Sequence, residues 1–317
     1  MTLDEKLGQM VSGRFLMDND GAELNATRVN YFVNKYKIGS LLNDPHFGRG
    51  IPSPLSDKWA SITNQLQSAY QATPLKIPMV YGLDSIHGAN PIRDATLFPH
   101  QLALAAAFNR SLAREVAGVA AKDTRAVGVH WNFSPSLDVG VNKKWSRLYE
   151  TFGEDPFLAG EMGVETIIGY QGTSLRANNT VAATLKHFFG YSASNSGMAI
   201  DGVWMHERVL NDYFRLPFQR AVYADAACIM SSYSDLNGEH TATSKKYLVD
   251  LLRREMEFKG ALVTDFGQIN NSVTGSLKEA LYISISLGTI DFNMNGVGIH
   301  PTHQGACQRG RHPRVHH

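Results

Sequence analysis

The chain has 317 residues, 43% of them hydrophobic, with a formal net charge of +1. That composition excludes a chain disordered as its main state and gives room for one large single-core domain or two small ones. With lysines and arginines scattered except in the last few residues, no field draws nucleic acid or an anionic membrane, and a small, neutral, polar substrate fits better.

The chain opens with a segment that reads as helical, residues 1–10. Short apolar runs then alternate with segments of helical period. The runs at 38–42, 79–83, 130–137, 181–189, 226–233, 261–264 and 283–292 read as strands. Between the first two, Leu55, Trp59, Ile62, Leu66 and Ala69 recur at helical steps and line one helix face. Asp155-Pro156 supplies an N-cap with proline at the first helical position. Ser244 caps a further helix through Leu248, Leu251 and Leu252 that stops near Gly260. From 296 to 317 the periodicity ends and His, Arg and Gly accumulate, so 1–295 reads as the domain and 296–317 as an irregular tail. The longest apolar stretch, 102–108, is far shorter than the roughly 20 residues a membrane span needs. No charged and then apolar leader precedes residue 10, and Cys228 and Cys307 make no disulfide framework. Asn25, Asn109, Asn178 and Asn270 begin Asn-x-Ser/Thr sequences compatible with a secreted parent.

Strands alternating with helices imply a parallel sheet, which is either open and doubly wound or closed into a barrel. Polar groups decide between them. Asp84, Lys186-His187, Tyr233 and Asp265 stand at or near the ends of four different runs. An open sheet concentrates its site at one switch point, whereas a barrel gathers it from many strand ends. No G-x-G-x-x-G or P-loop sequence favours a nucleotide fold. The expected architecture is therefore α/β, a TIM-like (β/α)8 barrel, incomplete in that seven strands rather than eight are visible in the pattern.

The motifs are specific. The opening Thr2-Leu3-Asp4-Glu5-Lys6-Leu7-Gly8-Gln9-Met10, the run Gly82-Leu83-Asp84-Ser85-Ile86-His87-Gly88, SRLYETFGEDP at 146–156, Lys186-His187-Phe188, 230–238 (MSSYSDLNG) and Leu262-Val263-Thr264-Asp265-Phe266 occur in one order. The chain resembles the barrel domain of family 3 glycoside hydrolases, of the lysosomal and secreted eukaryotic β-glucosidase type. The resemblance implies that Asp265 is the nucleophile of a retaining, exo-acting β-glucosidase that releases terminal non-reducing β-glucose from oligosaccharides or glucosides. It also implies that Asp84, Arg147, Lys186 and His187 bind sugar hydroxyls, that Met230 and Tyr233 line the same subsite, and that the parent is secreted or lysosomal.

The residue types fit that chemistry. Retaining hydrolysis needs a carboxylate on one face of the sugar and a carboxylic acid about 5–5.5 Å away to protonate the leaving oxygen. A lysine inside an apolar run costs several kcal/mol without a partner, which makes Lys186 hard to explain as structure. Arg147 has a structural alternative, an ion pair with Glu150 or Asp155, and Tyr233 has ordinary core. His87 and Asp138 read as structural, and Glu154-Asp155 as a helix start. No H-E-x-x-H or Cys/His pair has metal spacing, and neither metal nor cofactor is expected.

Three departures from the family pattern matter. Ser146 and Phe266 stand where the family usually has Gly and Trp. Two-domain members take their acid/base glutamate from a following α/β-sandwich domain, and no residue of this chain has that role by motif. Single-domain β-N-acetylglucosaminidases use an Asp-His dyad after the Lys-His motif, and residues 191–197 (YSASNSG) lack it. The alternatives to a β-glucosidase chain are thus a catalytically impaired sugar-binding remnant and, less well supported, the aminosugar enzyme.

Overall fold

The computed structural model describes residues 1–14, 16–18, 23–43, 45–46, 51–271 and 283–294. The proposed tail, 296–317, and the side chain of Asn270 lie outside what is described.

Eight short strands, all parallel, form one sheet: β1 (Val11–Gly13), β2 (Ser40–Leu42), β3 (Val80–Leu83), β4 (Trp131–Asn132), β5 (Ala182–Phe188), β6 (Cys228–Ser231), β7 (Ala261–Val263) and β8 (Asn293–Met294). Each of β1 to β6 pairs with its successor in sequence, and β1 also pairs with β8 through Val11↔Asn293 and Ser12↔Met294. A Val263↔Phe292 bridge joins β7 to the start of β8 and brings the sheet round on itself. This is the (β/α)8 barrel the strand ends implied.

Two elements differ from the sequence pattern. The eighth strand is β1, three residues directly after the helix Leu3–Gln9, too short to show any periodicity. The run read as a strand at 283–292 is helical at 283–287, and β8 begins only at Asn293. Its alternation of Ile and Ser is too brief to separate strand from helix, and a parallel neighbour must be reached through a crossover.

The helices follow their signals. Ser56–Gln71 buries Trp59, Ile62, Leu66 and Tyr70. Pro156–Gln171 is capped by Asp155, whose carboxylate accepts the Phe157 N–H at 2.8 Å. Lys245–Glu255, wound as a π-helix, is capped by Ser244, which accepts the Tyr247 N–H at 3.2 Å. Inside the ring, Leu42, Trp131, Phe133, Cys228, Met230, Val263 and Met294 pack into one apolar cluster. Larger clusters fill the space between strands and helices, where Leu185, Ile229 and Leu262 meet Phe218, Leu248 and Leu252.

The β5–β6 register slips between Leu185 and Phe188, so β5 carries an extra residue there. A strand ordinarily sends successive side chains to opposite faces, and a bulge re-aims one of them. Both Lys186 and His187 consequently reach the same polar cluster at the mouth.

Gly82 in β3 has no room for a methyl group, because a Cβ would lie 2.3 Å from the ring tip of Phe133. Phe133 is itself 1% exposed and has nowhere to swing. Gly82→Ala is expected to destabilise the barrel by about 1–3 kcal/mol through overpacking, read as a lower denaturant midpoint at unchanged slope.

Candidate active site

The polar residues converge on one end of the barrel. Asp84 directly follows β3, Lys186 and His187 belong to β5, Tyr233 stands two residues after β6, and Asp265 two residues after β7. Arg147 comes from the long connection after β4, where the 3₁₀ turn Leu148–Glu150 brings it onto Glu150. All lie at carboxyl ends of strands or in the connections leaving them, the face where barrels of this kind carry their sites.

Carboxylates and nitrogen groups alternate along a continuous path. Asp138 Oδ2 lies 2.8 Å from His187 Nδ1, and His187 Nε2 lies 3.4 Å from Asp265 Oδ2. Arg147 Nη1 stands 3.8 Å from that same Asp265 oxygen. The Arg147 guanidinium donates twice to Glu150, with both bonds 2.7 Å long. Glu150 Oε2 is 4.0 Å from Lys186 Nζ, which donates to Asp84 Oδ1 at 2.9 Å. Lys186 is only 3% exposed, so its partners answer the sequence argument that an isolated lysine there would be too costly.

The pairing shifts the groups that compose it. Burial favours the neutral form of Glu150, yet hydrogen bonds from Arg147 and the charges of Lys186 and Arg147 outweigh it and hold the carboxyl at about 2. Burial likewise opposes the charge on Arg147, but the Glu150 hydrogen bonds and the Glu150 and Asp265 charges raise it well above its ordinary value. Burial, followed by the nearby Asp265, pushes the Tyr233 phenol far up. Tyr233 therefore stays a donor, and its hydroxyl donates to the Phe266 carbonyl at 2.7 Å.

Asp265 is held on one side only. Its Oδ1 accepts the Phe266 N–H at 2.6 Å, and its backbone N–H donates to Gln268 Oε1 at 3.0 Å. Its Oδ2, buried between His187 and Arg147, makes no hydrogen bond among the described residues. A carboxylate fixed at one oxygen and open at the other, beside a cation, is suited to nucleophilic attack or to binding an electron-poor centre. Hydroxyl-bearing ligands find matching donors and acceptors in Asp84, whose side chain is 43% exposed, and in the groups behind it.

Of the residues singled out from sequence, Asp84, Arg147, Lys186, His187, Asp265 and Tyr233 come together here. Met230 does not join the charged path. Its backbone pairs with Val263, two residues before Asp265, and its side chain is packed in the apolar interior beneath. The ion pair weighed as an alternative for Arg147 is present, with Glu150 as partner, and Arg147 faces Asp265 as well.

Four neighbours were not recognisable as site residues. Asp138, read as structural, contacts His187; Glu150, read only as a partner of Arg147, also faces Lys186. Tyr191 sets its ring edge-on to His187 at 4.9 Å. Gln268 accepts from Ser231 Oγ at 2.6 Å and donates to the Ser232 carbonyl, tying the ends of β6 and β7 together. Only Glu150 carried a local signal, its spacing of three from Arg147. Asp138 meets His187 across 49 residues, and no periodicity announces that. Among the described residues no group of three or more His, Cys, Asp and Glu side chains has the geometry to hold a metal ion.

The model of the N-terminal domain of glycosyl hydrolase family 3 matches residues 2–295. A lysosomal beta glucosidase of Dictyostelium discoideum is 40% identical over 312 residues, covering 93% of this chain and 38% of the relative. A beta-xylosidase of Formosa agariphila is 35% identical over 239 residues, covering 73% of this chain and 32% of the relative. Among solved structures, a beta-glucosidase from Listeria innocua in complex with glucose superposes with a TM-score of 0.78 at 32% identity, covering 93% of this chain and 40% of the other. The chain thus spans about two fifths of the length of the first of these relatives.

Glu150 makes stability depend on acid pH. Its ordinary value is 4.5 and its folded value about 2, so the unfolded chain binds the proton more readily. The pairing stabilises the fold fully above about pH 4.5, by on the order of 3 kcal/mol, and that contribution fades as pH falls through 2. In urea unfolding at a series of pH values, Glu150→Gln is expected to flatten the drop between pH 4.5 and 2 and to be less stable than the parent at neutral pH.

Proposed function

The chain belongs to glycosyl hydrolase family 3, and on that premise we propose that it is the barrel of a retaining β-glucosidase with Asp265 as nucleophile. The observation that carries this reading is the Asp265 Oδ2 oxygen, buried, without a hydrogen bond, and flanked by His187 Nε2 at 3.4 Å and Arg147 Nη1 at 3.8 Å.

In the first step Oδ2 attacks the anomeric carbon as the bond to the leaving oxygen breaks, giving a glycosyl ester of Asp265. Water then attacks the same carbon, and the ester oxygen leaves as carboxylate. Two displacements return the sugar in its original configuration. Asp84, Lys186, His187 and Arg147 bind the hydroxyls of the glucosyl unit, with Tyr233 along one wall and Met230 beneath. Their hydrogen bonds lower the barrier where they tighten as the ring flattens and gains positive charge. Arg147 places a cation 3.8 Å from the attacking oxygen.

The leaving oxygen also needs a proton. The carboxylates nearest Asp265 are committed: Asp138 to His187, Glu150 to Arg147 and Asp84 to Lys186. We place the acid/base group outside this chain, in the α/β-sandwich domain expected of a two-domain parent. The same commitment of carboxylates supports a second reading, in which the chain by itself binds glucose and turns nothing over.

Glucose is the sugar suggested by the names of the Dictyostelium relative and the Listeria complex, and a pentose is the competing choice suggested by the xylosidase.

An activated aryl 2-deoxy-2-fluoro-β-glucoside tests the assignment, because its leaving group needs little acid help. Losing a general acid otherwise forfeits about 10²–10⁴-fold in rate. Mass spectrometry is expected to find one glycosyl adduct on Asp265, formed faster than with the corresponding xyloside and absent from Asp265→Asn. An adduct that survives Asp265→Asn removes the nucleophile assignment. Glucose affinity that depends on Asp84 and Lys186, with no adduct under any condition, establishes the binding remnant instead.

A further inference from the structure

The geometry points to Asp138 as the positioning residue of the site, a buried carboxylate that fixes the His187 ring by accepting its Nδ1–H and so aims Nε2 at Asp265. The role of Nε2 toward substrate rests on the glycosidase reading above, whereas the hold on the ring does not.

Asp138 lies in the connection after β4, and its side chain is fully enclosed. Three donors converge on a single oxygen, Oδ2: the Ser136 hydroxyl at 2.9 Å, the His187 backbone N–H at 3.2 Å and the His187 ring at 2.8 Å. Because Oδ2 already accepts from the Ser136 hydroxyl and the His187 N–H, the ring nitrogen facing it is assigned as a third donor, carrying its proton toward Asp138. The opposite nitrogen is thereby the one presented to Asp265 Oδ2, at 3.4 Å. Tyr191 packs edge-on against the same ring at 4.9 Å and blocks rotation out of that plane. The ring has no second orientation that keeps both contacts: turned over, it would set a carbon against Asp138 and leave a buried carboxylate short of a donor.

A carboxylate used only to support the backbone would serve with the Ser136 and His187 backbone contacts alone. The ring bond is the third and shortest of the set. Its effect is felt where His187 meets Asp265, at the other end of the imidazole.

Nitrogen NMR of protein carrying 15N-labelled histidine reads which ring nitrogen holds the proton, and His187→Gln identifies the His187 signals by their loss. In the unaltered chain Nδ1 is expected to be protonated. In Asp138→Ala that proton shifts to Nε2, and the rate of adduct formation with the fluoroglucoside falls about 10- to 100-fold, as it does when an outer partner of a functional histidine is removed. Asp138→Asn keeps an oxygen where Ser136 and the His187 N–H demand one, so it retains the Nδ1 proton and restores most of the rate. A bare Nδ1 in the unaltered chain overturns the assignment, whether or not the alanine variant folds. A cooperatively folded Asp138→Ala with an unchanged ring proton overturns it equally. The two readings fail separately: no adduct with the Nδ1 proton in place removes the glycosidase and keeps the hold on the ring, while an adduct with Nδ1 bare removes only the role of Asp138.

Discussion

The site depends on the need to keep buried charge neutralised pair by pair. Lys186 and Glu150 are nearly sealed from water, and Arg147 is half-buried. None of them is tolerable alone in such surroundings. Each is answered by a group from a different part of the chain: Asp84 from the end of β3, Glu150 and Arg147 from the connection after β4, Lys186 and His187 from β5, Asp265 from the end of β7. Electrostatic neutrality therefore works as a docking constraint among strand ends, and it gathers donors and acceptors from four parts of the chain at one mouth of the barrel.

Within that path Asp265 differs from the other carboxylates. Every other carboxylate accepts a hydrogen bond from a nitrogen side chain, while the open oxygen of Asp265 only faces its nitrogen neighbours at longer range. Asp138 Oδ1 is likewise buried without a hydrogen bond, but the open oxygen of Asp265 is the one that lies between His187 and Arg147. Gln268 and the Phe266 N–H hold the residue in place without engaging that oxygen.

Much of this was legible in the amino-acid order. The helix bearing Trp59, Ile62 and Leu66 declares itself by period, because its buried stripe is long enough to repeat, and Asp155-Pro156 marks a helix start by local chemistry. Placing Asp84, Lys186-His187, Tyr233 and Asp265 at or near the ends of four different strands was enough to choose a closed barrel. β1 was invisible because three residues have no period, and the Ile-Ser alternation before β8 read as a strand because five residues satisfy either pattern. Asp138 escaped for a different reason. What distinguishes it from any other acid after a strand is a partner 49 residues away, brought close only by the pairing of β4 with β5 and the bulge in β5. Met230 lies on the predicted strand, and its side chain is taken up by the barrel interior.

The seam between β7 and β8 has one consequence more. Backbone pairing there is brief, and side chains do much of the stitching: Asp291 accepts from the Leu262 N–H, while Thr264 donates to Asn293 and accepts the Met294 N–H. Thr264 is also the residue immediately before Asp265. The closing contacts of the hoop and the Asp265 carboxylate are thus carried by adjoining residues, so a change that loosens the seam at Thr264 also displaces Asp265.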